Sequence, residues 1–123
     1  MENDAKKTAL VVDEGEDFRD LFSCLLQSFH FDVTCVGSGE QAVERIKEKS
    51  YFLVLMDIHM PGITGLEALK QMKELRPDQK VVILSNAPDP FYYTERKAFQ
   101  EGAMDYILKP VEVSDLNRLF AKA

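Results

Sequence analysis

The sequence of 123 residues has few cysteines, no long apolar run and no excess of basic residues. Its two cysteines, Cys24 and Cys35, are too few for a disulfide framework, and we expect both to be reduced packing residues. The longest apolar run, 51–56, is far too short to span a membrane. The 21 acidic residues outnumber the 15 basic ones, and the charge of −6 disfavours direct binding to nucleic acid.

Composition and length indicate one globular domain over 1–123. Apolar residues make up 46% of the chain and charged residues 29%, which is typical of folded domains rather than disordered chains. Two independent halves would each be too small for a good core. The first seven residues, MENDAKK, carry both signs of charge and lead into no signal-peptide pattern. We therefore expect a single cytoplasmic domain, with no effector domain in this chain.

Short apolar runs alternate with helical patterns along the chain. The runs are 9–12, 33–36, 52–56, 81–84 and 106–108. The first, third and fourth are almost continuously apolar, as strands buried on both faces must be, whereas the second alternates like an edge strand. Five strand–helix units are too few for a closed eight-stranded barrel. The pattern predicts an open α/β fold: a parallel, doubly wound sheet with helices on both faces.

Capping residues indicate where the later helices begin. The predicted starts are Ser38 with Gln41, Thr64 with Glu67, Asp89-Pro90, and Ser114. Ser or Thr followed three residues later by Gln or Glu is a capping box, and proline after an N-cap suits the first helical position. Gly102 is the predicted end of the fourth helix, because glycine adopts the left-handed conformation that closes helices.

Two segments are rich in aromatic or large apolar residues. A stripe at helical spacing predicts that the first helix packs into the core; it comprises Phe18, Leu21, Phe22, Leu25, Leu26 and Phe29. The segment 86–90 contains two prolines that delay the fourth helix. Phe91, Tyr92 and Tyr93 follow it and cannot all face inward on one helix, so we expect at least one to be exposed as a contact for a partner.

Functional side chains follow four of the five predicted strands. In chain order they are Asp13 and Glu14, then Asp57, then Ser85, and finally Lys109, which precedes Pro110. Open parallel sheets place their binding sites beyond the carboxyl ends of the strands, which all lie at one edge. We therefore expect these side chains to form one site.

The chemistry of this predicted site points to phosphoryl transfer. Carboxylates within about 4 Å of each other repel by roughly 4 kcal/mol per pair, so either one acid is protonated or a divalent cation lies between them. A site of oxygen ligands alone favours Mg²⁺, which readily accepts a phosphoryl oxygen. The Lys109 ammonium and the Ser85 hydroxyl would bind the same anion. Asp57, at the centre, could then act as a nucleophile toward phosphorus.

The motifs around these residues resemble the receiver domain of a two-component response regulator over nearly the whole chain. They are Val12-Asp13-Glu14, the stretch DIHMPG at 57–62 with Gly65, Ser85, and the stretch GAMDYILKP at 102–110. The aspartate–methionine–proline–glycine loop and the final lysine–proline pair are highly specific in combination. The resemblance implies a flavodoxin-like sheet of strand order 2-1-3-4-5.

The resemblance also implies a phosphoacceptor role for Asp57. A sensor histidine kinase or a phosphotransfer protein would supply the phosphoryl group from a phosphohistidine. Mg²⁺ would be held by Asp13, Glu14, Asp57 and the backbone carbonyl of His59. Lys109, through an expected cis bond to Pro110, would pair with the phosphoryl group.

A conformational switch is implied as well. Ser85 would move to hydrogen-bond the phosphoryl group and Tyr106 would rotate inward behind it. This movement would change the surface formed by the fourth helix, the fifth strand and the fifth helix, through which a homodimer could form. Such a chain phosphorylates itself in part but is not an enzyme that acts on an external substrate.

Glu14 departs from the family pattern and leaves an alternative open. The second acid of the pair is usually aspartate, and the extra methylene of glutamate displaces the carboxylate by roughly 1.5 Å. Since Mg²⁺ tolerates little distortion, we expect weaker binding or direct ligation by Asp13. The chain could then be a degenerate receiver, an unphosphorylated interaction module.

Two other classes fit less well. An aspartyl-phosphate phosphatase usually has a second acid two residues after the nucleophile, where this chain has His59. A flavin-binding protein needs a phosphate loop after the first strand, where residues 13–17 are DEGED.

Overall fold

Five parallel strands form one sheet in the computed structural model, which describes residues 7–86 and 92–123. The strands are Thr8–Val12 (β1), Asp32–Val36 (β2), Leu53–Asp57 (β3), Val81–Ser85 (β4) and Asp105–Leu108 (β5). Their order is β2-β1-β3-β4-β5, and every neighbouring pair is parallel. This confirms the predicted doubly wound sheet and its strand order.

A helix follows each strand. The helices are Glu16–Ser28 (α1), Gly39–Glu48 (α2), Gly65–Leu75 (α3), Tyr93–Gln100 (α4) and Val113–Lys122 (α5). Within the described ranges, no helix has the length and apolar character needed to cross a membrane.

The apolar core has two halves, one on each face of the sheet. Alternate residues of β3 belong to different halves, with Val54 and Met56 on one face and Leu53 and Leu55 on the other. Side chains of α2, α3 and α4 cover the first face, and side chains of α1 and α5 cover the second. Because a parallel strand in this position is buried on both faces, its sequence is apolar without alternation.

The prediction for α1 is wrong at one position of its stripe. Phe22 and Leu26 are buried, but Leu21 is 74% exposed. The stripe of six large residues is wider than the face of α1 that packs against the sheet. The residue at the margin of the stripe therefore remains exposed to solvent. Leu21 lies there in a shallow apolar groove that also includes Leu25 and Val111.

The capping predictions are confirmed for α2 and α3 but not for α5. The Ser38 hydroxyl accepts a hydrogen bond from the Gln41 backbone N–H, and Thr64 forms a complete capping box with Glu67. At α5 the cap is Glu112 rather than Ser114; its side chain accepts from the backbone N–H of the third helical residue, whose side chain accepts in return from the backbone N–H of Glu112. A glutamate in this position is an unusual cap, so a search for Ser or Thr overlooks it.

The fourth helix begins at Tyr93, later than predicted. The proposed cap at Asp89-Pro90, like Phe91, lies outside the described residues. Tyr92 is the N-cap, with a left-handed backbone at φ 55°, and Gly102 follows the helix at φ +101° as predicted. Both tyrosines are exposed, at 67% and 61%, which confirms that at least one aromatic residue here faces solvent.

The two cysteines differ in their environments. Cys24 is exposed, so its interpretation as a packing residue is wrong, whereas Cys35 is partly buried against the second half of the core. Both thiols are free. Burial raises the pKa of the Cys35 thiol, which keeps it protonated and unreactive at neutral pH.

Candidate functional site

The carboxyl ends of four strands bring the predicted functional residues to one edge of the sheet. Asp13 directly follows β1 and Asp57 ends β3, and these strands are neighbours, with Val12 opposite Met56. Ser85 ends β4, and its register partner Leu108 directly precedes Lys109. The parallel topology thus assembles the site from residues up to 96 positions apart.

The ammonium group of Lys109 lies between two buried carboxylates. Its Nζ is 2.6 Å from Asp13 Oδ2 and 3.4 Å from Asp57 Oδ2. The two aspartates are only 3% and 5% exposed. Because like charges repel strongly when water is excluded, the lysine offsets the repulsion between the two acids.

Each carboxylate uses its second oxygen to fix its own loop. Asp13 Oδ1 accepts a hydrogen bond of 2.8 Å from the Gly15 backbone N–H, and Asp57 Oδ1 accepts one of 3.1 Å from the His59 backbone N–H. These bonds orient both Oδ2 atoms toward the ammonium of Lys109. The two acids are therefore held in position before any ligand binds.

The loop between β3 and α3 is held tightly against the site. Gly65 N–H donates to the Ile58 carbonyl at 3.0 Å, and Ile63 N–H donates to Glu40 Oε2 on α2 at 3.0 Å. A Cβ atom at Gly65 would lie 2.6 Å from the carbonyl oxygen of Asp57. Glycine is required at this position because the start of α3 approaches the backbone of β3 so closely.

Ser85 and Tyr106 occupy neighbouring strands behind this edge. Ser85 is 1% exposed, and its carbonyl accepts a hydrogen bond of 2.8 Å from the Lys109 backbone N–H. Tyr106 is half-buried, stands opposite Ile83 in the register and packs against the first half of the core. The predicted cis bond between Lys109 and Pro110 is present.

Glu14 and the side chain of His59 lie outside this buried arrangement, since both residues are exposed. Over residues 7–86 and 92–123, no three His, Cys, Asp or Glu side chains are grouped closely enough to hold a metal ion. The structure thus brings Asp13 and Asp57 together around Lys109, and the metal-binding role of Glu14 stays a prediction.

The donor atoms at this edge nevertheless suit Mg²⁺. Asp13 and Asp57 present buried carboxylate oxygens to a common cation, the ammonium of Lys109. Mg²⁺ is bound in proteins by one or two carboxylates, with water in the remaining positions, so it needs no third acidic side chain. Two hard, negatively charged ligands held in advance meet this requirement.

Three residues that the sequence patterns did not assign to the site contact either the site itself or the loop beside it. The ring of Phe18 lies 4.0 Å from the ammonium of Lys109, measured to the ring centroid. Arg19 Nη1 donates to the Asp13 carbonyl at 2.6 Å, and Glu40 holds the loop that follows β3. Phe18 is five residues after Asp13 and lies on the first turn of α1. This short separation in sequence was the signal that could have predicted its position beside the site.

Comparison with known proteins identifies the family. The fold resembles a CheY-like response regulator receiver domain protein from Methanospirillum hungatei, with a TM-score of 0.88 at 24% identity over 96% of this chain and 93% of that one. A family model described as the response regulator receiver domain matches residues 9–121, and the chain belongs to this family.

Two further relatives are more similar in sequence. The two-component response regulator ORR11 of Oryza sativa subsp. indica is 37% identical over 116 residues, covering 92% of this chain and 78% of the relative. The response regulator protein TrrA of Thermotoga maritima, solved in complex with Mg²⁺ and BeF, matches with a TM-score of 0.82 and 28% identity over 94% of this chain and 97% of that one.

Proposed function

We propose that Asp57 accepts a phosphoryl group from a phosphohistidine on a sensor histidine kinase or a phosphotransfer protein, and that residues 1–123 act as a single cytoplasmic receiver domain. The observation that carries this proposal is the buried Asp57 carboxylate, with one oxygen bonded to the His59 N–H and the other facing Lys109 at 3.4 Å. A nucleophile needs this kind of fixed orientation toward its target atom.

In the transfer step, an Asp57 oxygen forms a bond to phosphorus while the bond between phosphorus and the histidine nitrogen breaks. The electron pair of the broken bond stays on that nitrogen. The ammonium of Lys109 pairs with an oxygen of the arriving group, where negative charge is concentrated. When bound, Mg²⁺ supplies further charge neutralisation; Asp13, Glu14, Asp57 and the His59 carbonyl would hold it.

The switch uses residues directly beside the phosphorylated position. The Ser85 hydroxyl donates to a phosphoryl oxygen, and Tyr106 moves inward toward the space behind it. Support comes from the buried position of Ser85 next to β5 and the half-buried position of Tyr106 on that strand. Because α4 packs on β5, a movement of Tyr106 changes the surface of α4, β5 and α5.

A homodimer through this surface is part of the proposal. Four large apolar side chains are at least 43% exposed on these elements: Tyr93, Phe99, Leu108 and Val113. We expect Mg²⁺ and beryllofluoride, an analogue of the phosphoryl group, to shift the chain from monomer to dimer in sedimentation velocity. Phe99→Glu would abolish the shift, and Leu21→Glu, on α1, would not. A chain that stays monomeric with the analogue bound would exclude this dimer.

A degenerate receiver is the second candidate, and the exposed position of Glu14 favours it. If Mg²⁺ binding here requires Glu14 in addition to Asp13 and Asp57, the fold and its interaction surface would act without phosphorylation. The difference between the two candidates is therefore chemical and can be measured directly.

The deciding experiment is incubation with acetyl phosphate and Mg²⁺, followed by intact mass spectrometry. We expect the protein to gain the mass of one phosphoryl group, and chelation of Mg²⁺ with EDTA to prevent the gain. Asp57→Asn should gain nothing, whereas Asp78→Asn, an exposed aspartate in the connection between α3 and β4, should behave as the unmodified chain does. No gain by the unmodified chain would favour the degenerate receiver, and a gain by Asp57→Asn would exclude Asp57 as the acceptor.

A further inference from the structure

The ammonium of Lys109 has a third neighbour besides its two carboxylates. The centroid of the Phe18 ring lies 4.0 Å from Nζ, within the range of a cation–π interaction. An ammonium group has three N–H donors. Two of them face Asp13 and Asp57, so the ring covers a side of the cation that water would otherwise occupy. The Lys109 side chain is accordingly only 13% exposed.

Phe18 is itself held in place. Its ring packs 5.1 Å from the ring of Phe22, centroid to centroid, and contacts the second half of the core. The next residue, Arg19, donates a hydrogen bond to the Asp13 carbonyl and so ties the first turn of α1 to the acid that Lys109 contacts. The ring and the two carboxylates therefore form one rigid surround for the ammonium.

The ammonium of a lysine needs contacts of this kind to stay in one position. Its charge lies at the end of a flexible four-carbon chain, and the ammonium is strongly hydrated. Without the ring, the groove beside Pro110 and Val111 would offer Lys109 a route to solvent. A Lys109 side chain that extends into solvent does not contact the anion at Asp57. The entropic cost of ordering this side chain on binding would then reduce the affinity for that anion.

We propose that Phe18 is a positioning residue for Lys109: the face of its ring holds the ammonium between Asp13 and Asp57, where it meets the phosphoryl group. This inference rests on the proposed function of Asp57. The competing explanation is that Phe18 only fills space as an apolar wall of the groove. The two explanations differ in how the affinity for the anion depends on the electron density of the Phe18 ring. A cation–π contact weakens when this density falls, whereas an apolar wall is unaffected.

Fluorinated phenylalanines at position 18 separate the two explanations. Successive fluorine atoms withdraw electrons from the ring face while its shape and apolar character are nearly kept, so they weaken the attraction for a cation. The same series at Phe22, the neighbouring ring of the groove, is the matched control, because the cation–π contact of Lys109 is with Phe18. Phe18→Leu, which keeps apolar bulk without a ring, completes the set.

Two quantities are to be measured in this set of variants. One is the affinity for beryllofluoride in the presence of Mg²⁺, and the other is the NMR chemical shift of the Lys109 Cε group, because a nearby aromatic ring displaces this shift. The affinity should fall stepwise with fluorine number at position 18, by about 3- to 10-fold in total. Phe18→Leu should lose the displaced Cε shift. The Phe22 series should leave both readouts unchanged.

Unchanged affinity across the Phe18 series, in a protein that binds beryllofluoride, would overturn the role of Phe18 and leave the proposed function intact. Equal losses in the Phe18 and Phe22 series would overturn it too, because they would show a packing effect. Failure of the unmodified chain to bind beryllofluoride would overturn the proposed function as well as this inference.

Discussion

Replacement of Lys109 by methionine is expected to slow phosphorylation by acetyl phosphate by about 100-fold or more while tightening the binding of Mg²⁺ severalfold. The rate falls because the variant lacks the cation that meets the phosphoryl oxygens. The metal binds more tightly because the ammonium, 2.6 Å from Asp13, no longer competes for the same carboxylates. Intact mass against time measures the rate, and titration calorimetry measures the Mg²⁺ affinity.

The opposite signs make this prediction specific. Removing one partner from a buried charge cluster leaves the two aspartates uncompensated, so the variant should lose about 3 kcal/mol of stability in EDTA and regain stability when Mg²⁺ is added. Lys80→Met is the matched control, since Lys80 precedes β4 at the opposite edge of the sheet and its ammonium contacts the ring of Phe52. Weaker Mg²⁺ binding in Lys109→Met would contradict the shared site.

Gly65→Ala is expected to destabilise the protein by about 3 kcal/mol and to lower the phosphorylation rate in the fraction that folds. The added Cβ would lie 2.6 Å from both the Asp57 carbonyl oxygen and Ile58 Cα. Both are backbone atoms of the loop that carries the phosphoacceptor, so relief of the clash requires this loop to move. Urea unfolding gives the change in stability.

Gly37→Ala is the control for the loss of glycine itself. Its Cβ would lie 3.2 Å from Arg19 Nη1, a side-chain atom that has to shift by only a few tenths of an ångström, whereas the atoms facing Gly65 belong to the backbone. We expect this variant to lose less than about 1 kcal/mol. Similar losses in both variants would mean that the approach of α3 to β3 is looser than the structure indicates.

The agreement between sequence and structure is greatest where the chemistry is local and repetitive. The apolar strands are found within one or two residues of their predicted ends, because a strand buried on both faces must be apolar throughout. The predicted site also assembles at one edge, because each of its residues either ends its strand or directly follows it. Agreement is weaker at helix starts: α5 is capped by Glu112, and α4 begins at Tyr93 after a left-handed residue.

The sequence by itself determined the doubly wound sheet and the placing of Asp13, Asp57, Ser85 and Lys109 at one edge, since both depend on periodicity and on position relative to a strand. Only the tertiary structure decided that Lys109 lies closer to Asp13 than to Asp57, and that the ring of Phe18 covers its ammonium. Such contacts depend on side-chain rotamers and on how α1 packs against the sheet. Distances of this kind are set by the packing of the whole domain, and no local pattern of residues encodes them.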